Sequence, residues 1–337
     1  MRIAILAHEK FPDRAKTALG LLRYSDDEVV AVVDRDNAGR RVSDFVAGVQ
    51  DAPIVDSMAD APDCDALVVG ISPIGGGFEE SWRDDVRTAL RNGRDVVSGL
   101  HYFLEDDDEF RSLAEEHGGD IWDVRRPPDD LTVAQGIAGE VDAEVVLTVG
   151  TDCSVGKMTV TMELCRAARD AGHSAAVVPT GQTGIMIENW GIPVDRVVSD
   201  FTAGAVESML LDRAEEYDYL FVEGQGSIVH PAYSAVTCGI LHGSQADSLV
   251  LCHEAGREVV HGYESYELPD LDTYVDLYES LAEPVHETSV VAGALNTASV
   301  ADDAAAREAV DAYADRLGVP ATDLVRFDPD EILEVVL

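Results

Sequence analysis

The stretch "VLTVGTDCSVGKMTVTMEL", residues 146–164, decides how this chain is to be read. An apolar run enters a glycine-bounded loop, the loop ends in Gly156-Lys157, and an amphipathic pattern follows. Strand, loop, lysine and helix in that order make a holder for phosphate. Glycines let the turn close around an anion, successive N–H groups point inward, and the start of the helix adds its positive end. The loop comprises Gly150, Thr151, Asp152, Cys153, Ser154, Val155, Gly156 and Lys157. Its glycines stand one residue further apart than in the common phosphate-binding spacing. Lys157 brings a mobile charge to phosphate oxygens. The plainer alternative is a tight strand-to-helix turn with no ligand.

Met158 is the residue out of place. Loops of this kind normally hold magnesium through a hydroxyl directly after the lysine, and a thioether is a poor ligand for so hard a cation. Thr159 lies one position later, about 100° further round the helix. It reaches a metal only if the loop is reset. Otherwise the loop holds phosphates without the usual metal geometry.

The bulk composition narrows the surroundings. The chain has 337 residues, of which 65 are acidic and 24 basic, for a net charge of -41. The acidity runs along the whole length, as in a surface adapted to concentrated salt, where carboxylates hold water and their repulsion is screened. Nucleic acid is excluded as a partner, because the basic footprint its phosphates require is absent. No apolar stretch approaches the roughly 20 residues of a membrane span. The N-terminus reads as a first strand and not as a signal peptide. A cytoplasmic, halophilic protein that acts on a small molecule and forms a homo-oligomer is expected. Lysine occurs only at positions 10, 16 and 157, so a lysine retained after Gly156 in a chain whose other 21 basic residues are arginine points to need. Five cysteines without a C-x-x-C pair indicate neither a disulfide framework nor a zinc site. Cys153 stands apart, because loop N–H groups and a helix start favour a thiolate.

Further candidates follow other strands. "YDYLFVEGQGS" (217–227) puts Glu223 at a strand tip, where a carboxylate can ligate magnesium or act as a base, with Gly224 and Gly226 letting N–H groups approach a ligand. "VVPTGQTGIM" (177–186) brings Gly181 and Gln182 to the same expected sheet edge. His230 and His253 are possible acid/base groups. Asn296, ending another strand, suits either ligand reading or a turn cap.

The first part of the chain alternates strands (2–7, 29–34, 66–71, 95–99) with helices such as 81–93, which predicts a parallel sheet covered on both faces. Asp34 stands where a dinucleotide fold has its ribose-binding acid. The first turn lacks G-x-G-x-x-G, so no nicotinamide cofactor is expected. The glycine-rich 72–81 is an anion loop or a surface turn. A proline pair in "DVRRPPDDL" (123–131) marks the seam, dividing a Rossmann-like domain, 1–128, from a P-loop NTPase-like α/β domain, 129–337. The second sheet is expected from strands at 143–149, 174–178, 219–222, 248–252 and 289–293, with a helix over 301–316.

"GTDCSVGKMT", "PTGQTG", "VEGQGS" and "ALNT" together resemble a family, long without assigned function, that joins an N-terminal Rossmann-like domain to a C-terminal P-loop domain and includes D-glutamate N-acetyltransferases using acetyl-CoA. The resemblance covers nearly the whole chain. The second domain is also similar to dethiobiotin synthetase, an ATP-dependent ligase, and that likeness implies phosphate contact by Lys157 and magnesium at Glu223; Met158 is the departure. The expected function is therefore acetyl-CoA-dependent N-acetylation of an amino acid, D-glutamate first, with the loop cradling the coenzyme's phosphates. Glu223 and His230 are the candidate bases, and residues 224–226 the candidate oxyanion site. Arg166, Arg196 and Arg257 are available for substrate carboxylates. The alternatives are an ATP- and magnesium-dependent ligase or kinase-like enzyme, with Thr159 and Glu223 on the metal, and a non-catalytic nucleotide-binding regulator.

Overall fold

A computed structural model describes residues 1–73 and 75–337; the expected loop at 72–81 includes Ile74, which lies outside the described residues. The chain divides into two compact units, Met1–Pro127 with Gln182–Pro193, and Pro128–Gly181 with Val194–Leu337.

The β-branched runs of the first unit become β1 (Arg2–Leu6), β2 (Glu28–Val33), β3 (Ile54–Val55), β4 (Ala66–Val69), β5 (Asp95–Ser98) and β6 (Ile121–Asp123). All pair in parallel, in the order β3-β2-β1-β4-β5-β6 of a dinucleotide-type sheet. Helices α1 (Lys16–Tyr24), α2 (Arg83–Arg91) and α3 (Asp108–His117) belong to this unit. Asp34 is fully buried, and its carboxylate accepts the Glu9 N–H at 2.7 Å and the Asn37 amide at 2.6 Å. It clamps the turn after β1, a firmer duty than that of an ordinary strand-end residue.

In the second unit β7 (Glu144–Gly150) is followed by α4 (Lys157–Asp170) and β8 (Ala175–Val178). The chain then supplies α5 (Gln182–Glu188) to the first unit, where Thr183 and Thr17 of α1 share a hydrogen bond of 2.9 Å. The second unit resumes with α6 (Thr202–Arg213), β9 (Tyr219–Val222), α7 (Ser234–Ser244) and β10 (Ser248–Glu254). A hairpin of β11 (Val259–Val260) and β12 (Tyr263–Glu267) follows, then α8 (Leu271–Ala282), β13 (Ser289–Asn296), α9 (Asp303–Leu317), β14 (Ala321–Thr322) and α10 (Asp330–Val336). The main sheet runs β14-β13-β10-β7-β9-β8, all parallel. β7 is therefore central, and its buried Val145, Val146, Leu147 and Val149 form part of the core beneath the loop. Among the described residues no helix is long and apolar enough to cross a membrane.

One buried carboxylate secures the segment that leads into β7. Glu207 of α6 accepts the N–H groups of Gln135 and Ile137 at 2.5 and 2.8 Å. A Cβ on Gly204, one turn earlier, would stand 2.1 Å from the Thr132 carbonyl oxygen, so glycine there allows the close approach. We expect Glu207→Ala to lower the unfolding free energy by about 1–3 kcal/mol, because it strands two backbone donors, and Glu207→Gln to lower it less. Urea unfolding checks this; equal losses in both variants would deny the carboxylate this role.

Candidate active site

The loop closes on its own backbone. Ser154 and Gly156 lie in the left-handed region, with φ of 59° and 110°, and this folds the run of N–H groups into a concave turn. The first turn of α4 carries no acidic side chain to offset its positive end. Lys157 curls back over the loop, its Nζ donating to the Asp152 carbonyl at 2.7 Å. A Cβ at residue 150 would stand 3.0 Å from that Nζ, so Gly150 makes room for the ammonium.

Met158 is buried at 6% exposure and packs as a core residue, while Thr159 is half-buried beside it. The hydroxyl-bearing side chain that braces the loop is Thr161, whose Oγ1 donates to the Lys157 carbonyl at 2.9 Å and meets the Thr148 hydroxyl at 2.9 Å. Thr148 in turn accepts the Gly224 N–H at 3.1 Å. A Cβ on Gly224 would lie 1.7 Å from the Thr148 carbonyl oxygen. Gly224 is thus required by the contact of two backbones, and its N–H is spent inside the protein where the sequence suggested it would face a ligand. Gly226 turns with φ of 64° against Tyr233 and Thr237.

Glu223 is buried beside the loop following β8. Its Oε2 accepts the N–H groups of Thr180 and Gly181 at 3.2 and 3.0 Å, so the carboxylate is held in one place. Gln182, the next residue, belongs to the first unit with α5. Asn296 ends β13 next to the loop, its Cβ 4.0 Å from where a Cβ on Gly156 would be, and its side chain also caps the turn by accepting the Ala298 N–H at 3.0 Å.

Asp152 has no exposure. Its Oδ1 accepts the Cys153 N–H at 2.7 Å; its Oδ2 accepts the His261 N–H at 2.7 Å and Arg257 Nη1 at 3.2 Å. His230, 1% exposed, places Nε2 at 3.9 Å from Asp152 Oδ1, and this nitrogen is buried without a hydrogen-bond partner. Nδ1 of the same ring accepts the Ala232 N–H at 3.1 Å. A neutral ring in that setting carries its proton on Nε2. Burial lowers the His230 pKa, against a smaller opposing pull from Asp152. His230 therefore points a proton donor towards the loop. Ligand atoms of Asp152, Cys153 and His230 lie within 4.8 Å of one another, close enough to surround a metal ion. This tautomer does not suit one: a metal needs the Nε2 lone pair, and with Nδ1 accepting the Ala232 N–H that nitrogen carries the proton.

Several members of the site left no mark in the sequence. Tyr278 donates to the Gly150 carbonyl at 2.8 Å and accepts the Ile228 N–H at 3.1 Å, tying the loop to the segment that bears His230. His261 reaches Asp152 only through its backbone, which no side-chain pattern reveals. Of the arginines considered for substrate carboxylates, Arg257 reaches this cluster through Asp152, while Arg166 pairs with Glu163 on α4.

His253 pairs through Nδ1 with the Thr151 hydroxyl at 2.8 Å and stacks on Tyr313, ring centroids 5.8 Å apart. Burial pulls its pKa down to about 4; Glu254 opposes this, and Arg257 and Arg316 add to it. Since an unfolded histidine titrates near 6.5, the unfolded chain binds the extra proton first as pH falls. The stability this neutral ring contributes is complete above about 6.5 and is lost as pH drops towards 4. We expect the stability difference between wild type and His253→Asn, from urea unfolding, to shrink between about pH 7 and pH 4.5. A difference that holds constant would refute the buried neutral state.

Comparison with known proteins agrees with both halves of the chain. Residues 35–127 match the Rossmann-like N-terminal part of domain of unknown function DUF1611, and residues 132–333 match its P-loop domain. A D-glutamate N-acetyltransferase of Tritonibacter scottomollicae is 31% identical over 96% of this chain and 94% of its own length. Another of that name, from a Pseudoalteromonas species, is 36% identical over 79% of this chain and 80% of its own. The crystal structure of a DUF1611 family protein from Anabaena variabilis superposes with a TM-score of 0.94 at 40% identity, over 99% of this chain and 98% of that one. On the family models for both parts and on these near relatives, the chain belongs to the DUF1611 family.

Proposed function

We propose that this protein transfers the acetyl group of acetyl-CoA to the amine of an amino acid, D-glutamate first among acceptors. The P-loop holds the coenzyme's phosphates. The observation that carries this reading is the pairing of an intact anion cradle with a buried Met158. Phosphates can be bound here by N–H groups and Lys157, while the hydroxyl that normally holds magnesium for phosphoryl chemistry is replaced by a core side chain. Two relatives, one matched over 96% and the other over 79% of this chain, bear the name D-glutamate N-acetyltransferase, which supports the same reaction class.

Acetyl-CoA supplies an activated acyl carbon whose leaving group is a thiolate. The acceptor arrives as an ammonium and must lose a proton before its nitrogen attacks; carbon–sulfur cleavage then releases the coenzyme thiol. Glu223 is a fixed carboxylate able to take that proton. His230, as an Nε2–H donor, suits an anionic oxygen, either of a phosphate or of the tetrahedral intermediate. The pantetheine arm separates the coenzyme's diphosphate from its thioester. With phosphates in the loop, Glu223 meets the reacting carbon only when that arm turns back along the loop. The ligase alternative is favoured by one feature, the buried carboxylate of Glu223 just past the end of β9, the strand paired with β7, and it demands magnesium. A regulator demands binding without turnover.

The deciding comparison pairs donor length with Lys157. Lys157→Ala should weaken acetyl-CoA binding by about tenfold or more, the worth of a charged hydrogen bond. It should leave the use of acetyl-pantetheine, which lacks the nucleotide phosphates, nearly unchanged. Equal losses with both donors would mean that the lysine serves the acyl end. Removal of magnesium by a chelator should leave acetyl transfer intact; collapse of turnover would transfer the case to the ATP-dependent ligase, and intact binding with no turnover to the regulator.

A further inference from the structure

A cavity of about 380 Å³ lies beside the loop, walled in part by Thr151, His253, Arg257, Tyr274 and Arg316. Small-molecule sites commonly occupy about 300–1,000 Å³. Two contacts join this wall to the loop. The Thr151 hydroxyl meets His253 Nδ1 at 2.8 Å, and Arg257 Nη1 donates to Asp152 Oδ2 at 3.2 Å. Whatever occupies the cavity is therefore neighbour to whatever occupies the loop.

The charges in the wall are sorted. Arg257 follows β10 and Arg316 comes from the last turn of α9. Both line the cavity together with His253. A guanidinium is a planar fork suited to carboxylate. Arg257 already serves Asp152 and Glu254. Arg316 is differently engaged: it donates to Asp270 at 2.6 Å in a pair whose side chains are 55% and 83% exposed. An ion pair so open to water contributes little, so Arg316 can exchange Asp270 for another carboxylate at small cost. Glu258 and Glu267 also line the cavity and offer acceptors to an ammonium. Two guanidinium groups and separate carboxylates complement a small molecule that bears two carboxylates and one amine.

We propose that this cavity is the acceptor site, and that Arg316, with Arg257, selects an amino acid carrying a second carboxylate over its neutral analogues. The word acceptor rests on the transferase reading; the binding does not.

The experiment is calorimetric titration of the full chain with D-glutamate and D-glutamine, with and without coenzyme A, for wild type, Arg316→Gln and Asp270→Asn. Wild type should prefer D-glutamate. Arg316→Gln should weaken D-glutamate by about tenfold or more and D-glutamine by less than about threefold, with the melting temperature unchanged because the lost pair is exposed. Asp270→Asn should tighten D-glutamate by freeing the guanidinium, an opposite shift that a purely structural role would not produce. Equal weakening of both ligands, weaker binding in Asp270→Asn, or no preference in wild type overturns the assignment. Binding in the expected pattern without acetyl transfer would remove the transferase reading and keep the cavity. Acetylation of D-glutamate with a Michaelis constant indifferent to Arg316→Gln would keep the reaction and remove the cavity.

Discussion

Burying the carboxylate of Asp152 without partners would cost several kcal/mol, and much of the second unit is arranged around avoiding that cost. The residue sits inside a loop whose glycines, helix start and lysine all favour negative charge, yet it is itself negative and shut away from water. Two backbone N–H groups and one guanidinium satisfy it. Those donors come from the loop, from the turn after β10 and from the entry to β12, so a single side chain draws three separate stretches together. The hairpin of β11 and β12 is docked by its backbone at Asp152, and Arg257 faces the cavity because it is first required there.

A second constraint is the spacing between β7 and β9. The approach of Gly224 to Thr148 leaves no room for even a methyl group, while Glu223, one residue earlier, turns its carboxylate to the N–H groups of Thr180 and Gly181. The Thr148–Thr161 hydroxyl pair then ties the strand to the helix that follows. Charge is compensated above the sheet, where Asp152 collects its donors, and backbones are fitted tightly within it.

Much of this was legible before any coordinates. β-branched runs between glycine and proline breaks locate the strands of both sheets, and the order of strand, loop, lysine and helix locates the P-loop domain. Both signals are local, and local signals survive in sequence. What was not legible depends on distance along the chain. The departure of Gln182–Pro193 to the first unit falls inside an unbroken α/β rhythm. Gly224 resembled a ligand-facing glycine because nothing nearby reveals that Thr148, 76 positions earlier, lies against it. Arg316 stood within an acidic, alanine-rich helix and drew no notice, since its neighbours in space, His253 and Asp270, belong to other elements. The role of His230 changed for a subtler reason: composition cannot tell which ring nitrogen holds the proton, and the Ala232 N–H decides it.

Thr151 belongs to two places at once. Its backbone is the first step of the loop after β7, and its hydroxyl is bonded to a wall of the cavity. A residue so shared is a physical route by which the two compartments could be coupled. If filling the loop shifts Thr151, the affinity of the cavity shifts with it, and by reciprocity filling the cavity must alter the loop by the same factor. Order of arrival would then be a matter of rates, with one hydroxyl and the ring it touches as the contact common to both.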